Sequence, residues 1–127
     1  MSIEQNRDLA FKCFDAINRQ DAGGLAAVLS PKWAEEIRGW FAEADAAWPR
    51  LWMDVVDTVA EGDRVWCRVR TSGTRGSCAG NPEARREWTS TSVWFLRIAD
   101  EKIVEVEWLF DELSLMRQFG AIITPTL

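Results

Sequence analysis

The sequence contains neither histidine nor tyrosine among its 127 residues. Without an imidazole, the most frequent general base and the most frequent metal ligand of proteins are both missing. Any proton transfer must therefore use aspartate, glutamate, lysine or cysteine. The same absence argues against nucleophiles that depend on a histidine partner.

Cysteine is scarce as well, and its three positions are Cys13, Cys67 and Cys78. They are far apart, and no Cys-x-x-Cys pair occurs, which argues against a zinc site. Cys13 falls in an apolar helical stripe and Cys78 in a loop. We expect the thiols to be reduced, as in the cytoplasm, where we place the protein.

Basic clusters and long apolar runs are also lacking. The net charge is −5, from 15 basic and 20 acidic residues, so we expect neither nucleic acid nor a membrane surface as a partner. The N-terminal residues do not form a secretory signal, and no stretch approaches the length of a membrane span. With 47% hydrophobic residues, the chain is expected to fold as one domain, residues 1–127.

Periodicity predicts three helices in the first half of the chain. The first runs from Ile3 to about Asn18, with Ser2 as a candidate cap. The second, AGGLAAVL, follows Asp21 as N-cap and stops at Ser30-Pro31. The third follows Pro31 and ends at Trp48-Pro49, with tryptophans on one face and Glu35, Glu36, Arg38 and Glu43 on the other.

The second half changes to the alternation that is typical of strands. We predict strands over Trp52–Ala60, Arg64–Ser72, Arg86–Ile98 and Lys102–Asp111, with a loop from Gly73 to about Ala84. A final helix is expected from about Glu112 to Phe119. Helices that precede an antiparallel meander in this way indicate an α+β domain, with the helices packed on one face of the sheet.

Two long segments resemble the SnoaL-like polyketide (ester) cyclases of the NTF2-like superfamily. Residues 61–77 (EGDRVWCRVRTSGTRGS) are similar to the family pattern EGDRVAVRW…GTHTG. Residues 94–120 (WFLRIADEKIVEVEWLFDELSLMRQFG) are similar to FRxxDGKIxExWxxxDxLxLxxQLG. The resemblance implies an NTF2-like cone, in which a curved antiparallel sheet wraps three N-terminal helices around one deep apolar pocket. It also implies a cofactor-independent enzyme and, commonly on this fold, a homodimer.

The resemblance carries the family's general acid/base onto Asp111, its arginine onto Arg97 and a further acid onto Glu105. The departures are equally clear, since Arg75 stands where the family has histidine and Glu101 where it has glycine. Every histidine that the cyclases use is absent.

The carboxylates each allow two interpretations. Asp111 directly precedes a helix and can serve as its N-cap, or it can handle protons at the end of a pocket, or both. Glu107 alternates with Trp108 on a predicted strand. It belongs either to the solvated face or, beside Asp111, to a catalytic pair.

Arginines and aromatic residues complete the candidate site. The arginines are expected either to pair with glutamates across strands or to hold a polar group of a ligand. Trp88 and Trp94 share a strand face with Ser90 and Ser92. The predicted substrate-binding residues are Arg75, Arg97, Trp40, Trp48, Phe14 and Trp94.

The sequence therefore predicts a cyclase, or an isomerase or lyase of related chemistry, that closes a ring on a hydrophobic polyketide-like carbonyl compound by proton transfer. Asp111 would move the proton, with Glu107 beside it. One alternative is a small-molecule-binding protein that has lost the catalytic histidines. Another is an epoxide hydrolase, for which Arg97 and Asp111 supply only part of the Asp–Arg–Asp set.

Overall fold

The computed structural model describes residues 2–47, 50–75 and 86–118. Within these ranges the helices are α1 (Ile3–Asn18), α2 (Ala22–Val28), α3 (Pro31–Ala47) and α4 (Glu112–Gln118). The strands are β1 (Trp52–Glu61), β2 (Arg64–Arg75), β3 (Arg86–Ala99) and β4 (Lys102–Phe110). The predicted α+β order is confirmed. None of these helices has both the length and the apolar character needed to cross a membrane.

The first two helices begin where their capping residues predict. The Ser2 hydroxyl accepts a hydrogen bond from the Gln5 backbone N–H at 3.1 Å, and the Gln5 side chain accepts one from the Ser2 N–H at 2.8 Å. This reciprocal pair is a capping box. Asp21 accepts a hydrogen bond from the Gly24 N–H at 3.0 Å. Both side chains satisfy backbone donors that a helix start leaves unpaired.

The four strands form one antiparallel sheet in the order β1-β2-β3-β4. Its register shifts between Val55 and Asp57 in β1, and again between Arg97 and Ile98 in β3. Such bulges bend a strand and increase its twist, and the sheet is curved. Along β2, Cys67 is fully buried whereas Trp66 is exposed, because alternate side chains point to opposite faces. The inner face therefore packs on the helices, and outer-face side chains such as Trp66 are exposed.

Side-chain hydrogen bonds fix the helices to this inner face. The Asn18 amide donates to the Met53 carbonyl and accepts from the Met53 N–H, both at 2.7 Å. The Trp33 indole donates to the Val104 carbonyl at 3.1 Å. These bonds join α1 to β1 and α3 to β4, and the cavity described below lies between α3 and the sheet.

The prediction that a loop begins at Gly73 is wrong, because β2 continues to Arg75. Gly73 pairs with Trp88 of β3, and a Cβ atom there would lie 2.8 Å from Cζ2 of the indole. The glycine thus lets the tryptophan ring lie against the strand, which is close packing and not a chain turn.

The turn between β3 and β4 explains one departure from the family pattern. Asp100 and Glu101 have φ angles of 51° and 63°, the left-handed backbone that a two-residue hairpin of type I′ requires. Glycine adopts this conformation without steric cost. Glu101 stands where the family has glycine, so this hairpin keeps its geometry with a less suitable residue.

Stability is expected to fall at alkaline pH because two thiols are buried. Burial raises the pKa of Cys13, beside Cys67, and that of Cys67 from 9.0 to about 12. The folded thiols keep their protons while the unfolded ones ionise, so this stability is present below about pH 9 and is lost as the pH rises towards 12. Between pH 8 and pH 10 the free energy of unfolding should fall by about 3 kcal/mol.

Urea denaturation across this pH range measures the loss, and the chain contains no tyrosine whose ionisation would overlap it. In the Cys67→Ala variant, the free energy of unfolding should fall with pH roughly half as steeply. Equal slopes for both proteins would contradict the assignment to the thiols.

Candidate active site

A cavity of about 360 Å³ opens between α3, the inner face of the sheet and the start of α4. Most of its surface is aromatic or aliphatic, and the polar groups are concentrated on strands β2 and β3. The described residues that line it are Trp40, Glu43, Ala44, Leu51, Met53, Thr71, Trp88, Ser90, Ser92, Trp94, Trp108, Phe110 and Leu115. The predicted apolar pocket is therefore present.

Tryptophan rings in mutual contact form the aromatic wall of the cavity. Trp94 stacks on Trp108 with ring centroids 4.8 Å apart and an interplanar angle of 16°. Trp40 meets Trp108 edge to face at 5.9 Å. Behind them, Phe14 packs against Trp94 at 5.1 Å. Rings fixed in this way present a flat apolar surface that suits a planar ligand.

Three hydroxyl groups lie on the sheet side of the same cavity. Thr71 of β2 stands opposite Ser90 of β3 in the strand register, and Ser92 follows on the same face. All three residues are buried and line the cavity. Ser92 accepts a hydrogen bond from the Trp94 indole at 3.0 Å. This wall offers neutral donors and acceptors in an otherwise apolar space.

Glu43 is the one residue with a charged side chain among the described residues that line the cavity. It lies on α3, next to Ala44 and close to Trp40 in the chain, and it is exposed. The described lining contains no arginine or lysine, so this part of the cavity offers no cation to an anionic ligand. An uncharged ligand is therefore favoured. Among the described residues there is no group of three cysteine or acidic side chains that could hold a metal ion.

The predicted aromatic residues are brought together only in part. Trp40 and Trp94 line the cavity. Phe14 is 2% exposed and supports Trp94 from behind, so it does not form part of the cavity surface. Trp48 and the side chain of Arg75 lie outside the described residues.

Asp111 is a helix cap, as its position before α4 predicts. Its carboxylate accepts a hydrogen bond from the Ser114 N–H at 3.0 Å, and its own N–H donates to the Thr91 carbonyl at 3.1 Å. The residue is exposed and is not among the described lining residues, although its neighbour Phe110 is. The geometry establishes the cap and places the carboxylate towards its own helix.

Glu107 and Arg97 lie on the outer face of the sheet. Glu107 is exposed while Val106 and Trp108 turn inwards, because side chains alternate along β4. Arg97 donates to Glu105 at 2.9 Å, and this hydrogen bond lowers the pKa of Glu105. Of the two interpretations of Glu107 the structure has the solvated face, and neither Glu107 nor Arg97 is among the described residues that line the cavity.

The structure also separates the two residues that an epoxide hydrolase would use together. Arg97 stands opposite Glu105, and Asp111 follows six residues later in the chain. Six residues of extended chain span about 20 Å. Arg97 and Asp111 therefore do not converge on one water molecule.

Most of the described lining residues were not predicted as site residues, and Glu43 and Thr71 are two polar examples. Glu43 was assigned to the solvated side of its helix, and it does lie at the helix edge where the cavity meets solvent. Thr71 was not singled out, although its alternation with Val69 along β2 places both side chains on the inner face. Ser90 and Ser92 were placed correctly beside Trp88 and Trp94, but without a role.

Comparison with proteins of known structure gives the same fold at high coverage. TsrD from Streptomyces laurentii is 23% identical, with a TM-score of 0.81 over 96% of this chain and 99% of that one. IdmH from Streptomyces antibioticus is 23% identical, with a TM-score of 0.82 over 92% and 99%. A SnoaL-like polyketide cyclase from Agrobacterium tumefaciens is 20% identical, with a TM-score of 0.77 over 94% and 100%.

The family itself is identified by sequence. No curated protein sequence matches the chain significantly. The sequence profile described as SnoaL-like polyketide cyclase, however, matches residues 15–119, which include all the lining residues named above. The chain belongs to the SnoaL-like polyketide cyclase family.

Proposed function

We propose that the protein is a cofactor-independent cyclase that binds a flat, uncharged, polyketide-like carbonyl compound and closes a ring on it by proton transfer. The observation that carries this proposal is the composition of the cavity. Aromatic rings form one wall, hydroxyl groups form another, and Glu43 is the one carboxylate among the described lining residues. An aldol-type closure needs these three elements, namely a surface that folds the chain, donors for a carbonyl oxygen, and a base.

The reaction balances without any co-reactant. A carboxylate removes a proton from the carbon next to one carbonyl group. That carbon forms a bond to the carbon of a second carbonyl group, whose oxygen then takes up the proton. The product is a cyclic hydroxyketone with the same atoms as the substrate, and loss of water can follow.

Glu43 is the carboxylate that the geometry favours for this proton transfer, because it lines the cavity. Asp111, to which the family resemblance points, is the second candidate. Its carboxylate already accepts a hydrogen bond from its own helix. Glu107 faces solvent on the other side of the sheet and is not part of this proposal.

An aryl-substituted 1,3,5-triketone tests the function, since it closes to a phenol by this chemistry. Chromatographic separation of substrate and product gives the rate with and without protein. We expect saturable acceleration above the spontaneous reaction. Saturable binding without acceleration would instead support a ligand-binding protein that has lost the chemistry, an alternative favoured by the absence of histidine.

We also propose that the protein forms a homodimer through the outer face of the sheet. Trp66 and Phe95 meet edge to face at 4.7 Å on this face, where Trp66 is 49% exposed and Leu109 62% exposed. Exposed apolar side chains in one patch favour a protein interface. Sedimentation equilibrium should give twice the monomer mass, and a Trp66→Glu variant should sediment as a monomer.

A further inference from the structure

The hydroxyl group of Ser90 is buried in a way that does not stabilise the folded protein. Its side chain is only 7% exposed, and within the described part of the chain its Oγ has no hydrogen-bond partner. A hydroxyl group that is buried without a partner destabilises the folded state, whereas the methyl group of alanine would not. The same residue lines the cavity. A ligand that fills the cavity can provide the missing partner.

Ser92, two residues along the same strand, can also donate a hydrogen bond to a ligand. Its Oγ accepts the Trp94 indole N–H at 3.0 Å, and an indole nitrogen can only donate. The Ser92 hydroxyl hydrogen must therefore point away from that indole. Hydrogen bonds in a chain polarise one another, so the accepted bond makes Ser92 a better donor.

The spacing of the two serines indicates what they would contact. Alternate residues of a strand lie about 7 Å apart, which is too far for both hydroxyls to hold one small atom directly. They suit two oxygen atoms along one edge of a ligand, as in a polyketone or an oxygenated ring. Thr71 lies across from Ser90 and adds a third hydroxyl to the row.

We propose that Ser90 and Ser92 form the subsite that binds the carbonyl or phenolic oxygens of the ligand, with Ser90 as its principal donor. This rests on the proposed function only in assuming that the cavity binds a carbonyl compound. Trp94 and Trp108 hold the flat part of the ligand while the serines set its orientation. The substrate class is accordingly a planar or folded compound that is oxygenated along one edge.

The test compares a ketone with its parent hydrocarbon, 1-tetralone with tetralin, by equilibrium dialysis against the full chain. The Ser90→Ala variant should bind the ketone about tenfold more weakly than the parent protein, since one hydrogen bond of ordinary strength is lost. Its affinity for the hydrocarbon should not change. Its Tm should equal or exceed that of the parent protein, because an unpaired buried hydroxyl has been removed.

A matched control is available on the same strand. Thr91 lies between the two serines but faces outwards and is exposed, so Thr91→Val removes a hydroxyl group without touching the cavity. Neither ligand should bind differently to this variant. Equal losses of ketone affinity in both variants would overturn the proposal, and so would a lower Tm for Ser90→Ala, which would show that the hydroxyl has a structural partner.

The parent protein and the Ser90→Ala variant together separate this proposal from the proposed function. Binding of neither compound would overturn both, because the cavity would then not accept such ligands. Binding of both compounds with no response of the ketone to Ser90→Ala would overturn only the serine subsite. Turnover of the triketone is a separate measurement and depends on the carboxylate as well.

Discussion

Replacing Glu43 by glutamine is expected to lower the turnover of the triketone by about 10²- to 10⁴-fold, the usual contribution of a general base. Glutamine keeps the size and polarity of the side chain but cannot take up the proton. Because Glu43 is exposed and no ion pair involving it occurs in the described structure, the free energy of unfolding should not change. Steady-state kinetics should show the loss in kcat, with little change in KM.

Three further variants make this experiment decisive. Asp111→Asn keeps a capping side chain and should retain turnover, and Glu107→Gln on the outer face should do the same. Glu36→Gln changes the charge of the same helix and controls for electrostatic effects. If Asp111→Asn lost the activity while Glu43→Gln retained it, the proton would be moved by the residue that the family resemblance indicates.

Replacing Trp94 by alanine is expected to lower the free energy of unfolding by about 4 kcal/mol. Its ring is only 1% exposed, packs against Phe14 on one side, and stacks on Trp108 on the other. The indole N–H also donates to Ser92. Removing the ring therefore leaves a void between two aromatic neighbours and frees a hydroxyl group. Urea denaturation monitored by circular dichroism measures the effect.

An exposed tryptophan provides the comparison. Trp52 is 43% exposed and donates to Asp54 at the surface, so Trp52→Ala should cost about 1 kcal/mol or less. Added indole should raise the Tm of Trp94→Ala more than that of the parent protein, because it can enter the vacated space. Similar losses for the two alanine variants would mean that Trp94 does not have the packing role described above.

The sequence predicted most of the elements because their signals are local. Ser2 and Asp21 cap their helices through side chains only three residues away from the N–H groups that they satisfy. Alternation along β3 likewise placed Ser90 and Ser92 on the face that carries Trp88 and Trp94. Such patterns depend only on the geometry of one strand or helix, which the local sequence determines.

The features that the sequence did not reveal depend on what lies opposite a residue in space. Glu43 has the sequence pattern of a solvated helix position, and only the packing of α3 over the sheet brings it to the cavity edge. Gly73 has the pattern of a loop, and only the indole of Trp88 shows why a strand needs it. For Asp111 the sequence predicted the cap, and only the structure shows that the capping carboxylate faces its own helix.

The tryptophans of the cavity also make the protein an optical sensor of its own ligands. Among the described residues four tryptophans line the cavity, and the absence of tyrosine leaves indole as the dominant near-ultraviolet chromophore. Trp94 and Trp108 are close enough to exchange excitation energy, with centroids 4.8 Å apart. A ligand that touches either ring changes the emission of both. Unlabelled compound collections can therefore be screened through the fluorescence of the native chain.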